Sequence, residues 1–252
     1  MIENKAVFRL PGLDTLRAAA IILVLANHYM VVVSGKNTFG FVTNVGWAGV
    51  DLFFVLSGYL IGNQILSPIA LNQNFSLKKF YMKRLLRTLP NYYFILAIYF
   101  IFPQELGSKE TASIWHFLTF TQNFGLRPGE TFTHSWSLCI EEQFYIILPA
   151  TALLIASFKC SRKLAWMIIG AAVVAGMVVR GMTWFCNGKS AIDAYDYYEN
   201  IYYSSFARFD ELLPGVAIAM LKNFHASTYS KLMRRGNLLF LTGLSAAGIM
   251  LY

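Results

Sequence analysis

Apolar residues run in blocks long enough to cross a bilayer of about 30 Å near residues 13–33, 46–66, 89–103, 135–158, 164–186, 206–221 and 236–252. The third block is short, and the seventh runs to Tyr252. The pattern predicts an all-α protein, a polytopic transmembrane helical bundle of about seven spans in one membrane-embedded domain covering residues 1–252. Within the first block, LDTLRAAAIILVLANHYMVVV, apolarity is broken by Asp14, Arg17 and His28. Eleven residues at about 100° each leave Arg17 and His28 only about 20° apart on a helix, with Asp14 on the same side. A polar stripe inside a membrane helix is costly, faces protein or water, and marks function.

Composition agrees with that class: 56% of residues are hydrophobic, 13% are charged, and the mean hydropathy is +0.50. These values exclude an ordinary soluble domain. Orientation follows from the 21 basic residues, because Lys and Arg of short loops stay on the cytoplasmic side. With a cytoplasmic N-terminus, the inner segments hold Lys5 and Arg9, the cluster Lys78, Lys79, Lys83, Arg84 and Arg87, then Lys159, Arg162 and Lys163, and finally Lys222, Lys231, Arg234 and Arg235. The outer loops hold only Lys36, Lys109, Arg127 and Lys189, and carry the acidic Glu105, Glu110, Glu130, Asp193, Asp196 and Glu199. The net charge of +8 is therefore mostly an orientation signal, and no nucleic-acid partner is expected. Cys139, Cys160 and Cys186 are far apart, and the four histidines lack ligand spacing, so neither a disulfide framework nor a metal site is expected.

The ionisable residues suggest where chemistry lies. His28 has the residue type suited to activating a hydroxyl, since its ordinary pKa near 6.5 lets it take and return a proton; the plainer role is a buried imidazole bonding two helices. His28 falls in the outer half of the bilayer. Asp51, Glu141, Glu142, Arg208, Asp210 and Glu211 are expected at the same depth, either around a watered cavity or in a network of interhelical ion pairs. Asp51, Glu141 and Glu142 are candidates to orient the imidazole. Glu141 and Glu142 differ by about 100° on a helix, so one is expected to serve the site and the other the packing. In KKFYMKRLLR, Arg84 and Arg87 share a helical face and suit phosphate oxygens; the alternative is a basic amphipathic stretch on anionic lipid. Arg17 is a candidate to lie along a substrate path and to pair with Asp14, and the two roles are compatible. Gly46, Gly49, Gly58 and Gly62 are expected to permit close backbone packing. The loop 104–133, with Trp115, His116, Phe117, Phe120 and Phe124, is either a short interfacial helix over the site or a connector.

The runs PGLDTLRAAAIILVLANH, GWAGVDLFFVLSGYLIG, FYMKRLLRTLPNYY, THSWSLCIEEQFYIILP and RFDELLPGVAIAML occur in this order across residues 11–221. Together they closely resemble the acyltransferase 3 family of integral membrane O-acyltransferases. The resemblance implies transfer of an acyl group, commonly acetyl, from cytoplasmic acyl-CoA to a hydroxyl of a cell-surface or exported carbohydrate. It implies a functional arginine and histidine in the first span, matched by Arg17 and His28, and an Arg-x-x-Arg pair, matched by Arg84 and Arg87. On this reading His28 is the general base, with Asp51, Glu141 or Glu142 beside it. Arg84, Arg87 and Arg17 bind the donor, and Arg208 and Asp210 bind the acceptor. No permanently bound cofactor is expected; acyl-CoA is a substrate, and membrane lipid is a partner. The implied location is a bacterial cytoplasmic (inner) membrane. Family members usually carry more spans, so the chain is expected to be incomplete at its C-terminus. The competing readings are a transporter or permease, whose substrate path also uses intramembrane charges, and an inactive truncated relative acting as a scaffold.

Overall fold

The structure is a computed structural model and describes residues 11–109, 112–158, 161–186 and 193–251. Lys5, Arg9, Glu110, Lys159, Cys160 and Lys189, which entered the charge and cysteine reading, lie outside the described residues. Among the described residues every regular element is helical. The order is α1 (Pro11–His28), α2 (Phe41–Asn44), α3 (Ala48–Ala70), α4 (Leu77–Ile101), α5 (Ile114–Leu118), α6 (Trp136–Ser157), α7 (Arg162–Cys186), α8 (Ala194–Tyr197), α9 (Ser205–Arg208), α10 (Leu213–Phe224), α11 (Ala226–Arg234) and α12 (Gly236–Leu251). A π-helical stretch, Tyr29–Ser34, extends α1.

Among the described residues, four helical stretches are long and apolar enough to cross a membrane: Gly12–Ser34, Ala48–Ala70, Thr133–Ser157 and Arg162–Cys186. They coincide with four of the seven blocks. The other three take different forms. Block 89–103 is the C-terminal part of α4, whose N-terminal part carries Lys78, Lys79, Lys83, Arg84 and Arg87. Block 206–221 is not one regular helix: α9 gives way to a 3₁₀ turn, Phe209–Leu212, before α10. The cause is local. Pro214 opens α10 and has no N–H to continue a ladder, while the Leu213 N–H bonds the Asp210 carbonyl in a tighter turn. Block 236–252 is the shorter α12, of 16 residues.

The chain divides into two compact units, one of residues 1–57 with 227–252 and the other of residues 58–226. In the first, α1 packs closely on the chain around Gly46 and Gly49. A Cβ on Gly46 would stand 2.6 Å from the Asn27 Cβ, and one on Gly49 would stand 2.6 Å from the Ala20 carbonyl oxygen. Ala20 and Ala26 are buried in this contact region, and the Asn27 amide donates to the Thr43 carbonyl at 3.4 Å.

In the second unit, Ser76 caps α4 by accepting from the Lys79 N–H. The same helix contributes Tyr92 and Leu96 to a core with Phe117, Phe120, Phe132 and Cys139. The long segment before α6 is thus a packed part of this unit. Phe117 is 2% exposed whereas its neighbour Trp115 is 70% exposed. Polar side chains tie the segment down from inside. Gln122, 1% exposed, donates to Tyr92 and Ser135, both at 3.0 Å. Asn123 donates to Ser205 at 2.8 Å and accepts from Gln143 at 3.0 Å, and the Ser205 hydroxyl closes the ring by donating to Gln143 at 2.6 Å.

Gly58 faces the Leu212 backbone so closely that a Cβ would overlap the carbonyl, and a Cβ on Gly62 would meet Ala219 at 3.1 Å. Gly170 in α7, by contrast, faces open space. Gly58→Ala is expected to lower unfolding stability by about 2 kcal/mol through overpacking, and Gly170→Ala to leave it within about 0.5 kcal/mol. Thermal or denaturant unfolding in detergent checks both, and equal stability of the two variants would contradict the close approach.

Candidate active site

In the first unit, α1 is a regular α-helix through His28 and turns π-helical only from Tyr29 onward. Arg17 and His28 therefore keep their shared face. Such π-helical turns recur at functional sites. The His28 side chain is half-buried and hydrogen-bonds the Val24 backbone one turn earlier. A bond of this kind fixes which ring nitrogen carries the proton and leaves the other as the basic one. Arg17 donates to Asp14 at 2.9 Å near an exposed stretch of the helix, so the sequence-level pairing of these two is present. Asp51 is half-buried in the first turn of α3, where the positive end of the helix dipole favours a carboxylate.

In the second unit, α4 and α6 bring Arg84, Thr88, Glu141, Glu142 and Tyr145 together. The Arg84 guanidinium lies 4.3 Å from the centroid of the Tyr145 ring, a cation–π distance. The Tyr145 hydroxyl donates to Glu141 at 2.6 Å. Glu142 turns instead toward α4, where the Thr88 side chain hydrogen-bonds it and the Arg84 charge faces it. Its Oε1 is buried with no hydrogen-bond partner among the described residues. The adjacent glutamates thus diverge, as the roughly 100° step of a helix requires. Arg84 and Arg87 differ as well: Arg84 is half-buried and braced by Tyr145, while Arg87, one turn on, is exposed.

The 3₁₀ turn carries the remaining charges. Arg208 pairs with Glu211 at 3.0 Å, and its guanidinium stands 4.9 Å from the Tyr202 ring centroid and 5.5 Å from that of Trp136. Nearby, burial pushes the Tyr203 phenol above its ordinary value, with Tyr198 and Tyr202 adding to the shift. Both oxygens of Asp210 are taken by Arg180 in a two-pronged ion pair, at 2.6 and 2.7 Å. Arg180 also donates to the Ala207 carbonyl. Asp210 is 7% exposed, and the missing side chain of Gly176 makes room for its carboxylate. Arg180 falls within the apolar block 164–186, yet no motif there gave it a role. The signal was available: a cation inside an apolar span calls for a counter-charge, and RFDE offers one. The polar ring of Asn123, Gln143 and Ser205 was missed because none of the three is ionisable and their spacing follows no motif.

Among the described residues no group of three His, Cys, Asp or Glu side chains could hold a metal ion.

Residues 10–252 match a family described as Acyltransferase domain. The chain is 31% identical over 241 residues to the peptidoglycan O-acetyltransferase OatA of Listeria monocytogenes, a match covering 85% of this chain and 34% of that protein. It is 28% identical over 228 residues to the O-acetyltransferase OatA of Staphylococcus aureus, covering 84% of this chain and 34% of that protein. The chain therefore spans about a third of the length of these curated relatives. No solved structure matches it.

Breaking a buried ion pair by removing one partner leaves the other charge uncompensated. Asp210→Asn and Arg180→Gln are each expected to lower unfolding stability by about 3 kcal/mol, and the double variant by clearly less than the sum. Unfolding of the four proteins of this cycle in detergent measures the coupling, and strictly additive losses would show that the pair contributes nothing as a pair.

Proposed function

The chain belongs to the acyltransferase 3 family, whose domain it matches along residues 10–252, and on that premise we propose that it is the membrane-embedded part of an O-acetyltransferase. The donor is acetyl-CoA or another acyl-CoA presented from the cytoplasm, and the acceptor is a hydroxyl of cell-wall carbohydrate. The Listeria monocytogenes relative is a peptidoglycan O-acetyltransferase, which supports that acceptor class. The observation that carries the reading is an imidazole, His28, bonded to the Val24 backbone inside an apolar helix, within a chain that matches this family almost end to end.

The chemistry follows from those residues. As the acceptor oxygen attacks the thioester carbonyl, the unprotonated ring nitrogen of His28 takes the hydroxyl proton. A C–O bond forms, the C–S bond breaks, and the thiolate of CoA leaves and recovers the proton from the imidazolium. Asp51 is assigned to steady the imidazolium, because it lies in the same compact unit as His28. Arg87, exposed, meets the donor phosphates first, and Arg84, held by Tyr145, supplies a second guanidinium of fixed direction. Arg17 lies along the path of the pantetheine arm. Arg208 contacts the acceptor, and Asp210 acts through Arg180 as a positioning residue. The N-terminus is cytoplasmic, in a bacterial cytoplasmic membrane, because the basic cluster of α4 belongs on that side. Lys78 and Lys79 lie against anionic lipid there.

His28→Ala, properly inserted, is expected to reduce acetyl transfer by at least about 100-fold, the lower range for loss of a general base; unchanged transfer would remove His28 from the mechanism. For the donor, acetyl-CoA binding measured in nanodiscs is expected to weaken in Arg87→Ala and to vanish in Arg84→Ala/Arg87→Ala. Wild-type affinity in the double variant would remove these arginines from the donor site.

A further inference from the structure

A cleft of about 350 Å³ opens within the second unit between α6, α7 and α10, bordered by Leu66 and Ile69 of α3 and reached by Asp210 at one end. Its volume lies in the range of roughly 300–1,000 Å³ typical of ligand sites. The walls are aliphatic and aromatic, with Ile147 and Ile155 from α6, Ala165 and Ile169 from α7, and Val216 and Met220 from α10. Along α7 the lining runs from Ser161 to Ala172, about 16 Å at 1.5 Å per residue. That is half of a hydrocarbon core of about 30 Å, the depth of one leaflet.

The two ends differ in charge. At one, Asp210 is neutralised by Arg180. At the other stand Ser161 and Arg162. The Arg162 guanidinium donates to the Phe224 carbonyl at 3.5 Å and lies 5.6 Å from the Phe224 ring centroid. Phe224 itself lines the cleft, so the cation is held at the mouth. Lys163 is exposed beside it, and the first turn of α7 adds the positive end of a long helix dipole. The adjoining Trp166 is fixed by its N–H donating to His225 at 3.2 Å. An occupant suited to this cleft is apolar along its length and anionic at one end.

We propose that the cleft binds one acyl chain of an anionic membrane phospholipid between α6, α7 and α10, with its headgroup phosphate on Arg162. The charge complementarity of the mouth, the apolar walls and the one-leaflet depth together fit that occupant. With the orientation proposed above, the mouth opens on the cytoplasmic leaflet, where anionic lipid is concentrated. The occupant is a structural lipid rather than a substrate, and Asp210 at the far end is already paired with Arg180.

Native mass spectrometry tests this on the protein released from nanodiscs of equal parts phosphatidylglycerol and phosphatidylcholine. Wild type is expected to retain one phosphatidylglycerol in at least about tenfold excess over phosphatidylcholine, a difference of about 1.4 kcal/mol. Arg162→Gln is expected to lose that preference and Arg162→Lys to keep part of it. Ala165→Trp, which fills the cleft, is expected to lose both lipids, and Ala165→Leu serves if the larger side chain prevents folding. Glycerol 3-phosphate, which carries the headgroup chemistry without chains, is expected not to displace the bound lipid. Equal retention of the two lipids by wild type, an unchanged preference in Arg162→Gln, or displacement by glycerol 3-phosphate would each overturn the proposal. Because retention is read without any transfer assay, its failure leaves the acyltransferase reading untouched.

Discussion

The ion pair of Arg180 and Asp210 is a central constraint on the second unit. A carboxylate 7% exposed among apolar helices is stable there only with an opposite charge and well-placed hydrogen bonds. Arg180 supplies both, reaching the two oxygens and the Ala207 carbonyl at once. This fixes α7 against α9 and the 3₁₀ turn. It also explains why Gly176, directly under the carboxylate, has no side chain. The broken helical path from Ser205 to Phe224 follows from the same requirement, since Pro214 and the tight turn at Asp210 aim the carboxylate at Arg180 while Arg208 turns to Glu211.

Close backbone approach is the second constraint. Gly58 and Gly62 lie four residues apart on α3 and meet Leu212 and Ala219, a small-residue face of the kind that drives helix association where lipid offers no hydrophobic advantage. Gly46 and Gly49 do the same for α1 in the first unit. Contacts made without intervening side chains hold distances within narrow limits, which suits a fold that has to present charged groups in apolar surroundings.

Charge is divided by burial rather than spread evenly. On α4, Arg84 is braced by Tyr145 and faces Glu142, while Arg87 is left open. On α6, Glu141 accepts from Tyr145 of the same helix and Glu142 meets Thr88 and Arg84 of α4. A pair of like residues three or one apart in sequence therefore becomes one anchored and one differently directed group.

Much of this was legible in the chain itself. The apolar blocks marked four of the long helices, because a segment that must satisfy its own backbone in hydrocarbon has to be both long and apolar. The shared face of Arg17 and His28 followed from helical pitch alone, and so did the divergence of Glu141 and Glu142. The glycines announced close packing, and the ordered motifs announced the family. The sequence could not assign partners. That Asp210 belongs to Arg180, thirty residues away, that Arg84 rests on Tyr145, and that Gln143 joins Asn123 and Ser205 in a buried ring depends on which helices become neighbours. Neighbourhood is set by the sum of many weak contacts spread over the whole chain. The broken sixth block belongs to the same class, because its irregular pitch is stabilised by a charge on another helix. The sequence by itself determined the elements, the solvent they are built for and the reactive groups they carry; the tertiary structure decided which of those groups are bound to one another, because pairing energies are realised only at distances that packing creates.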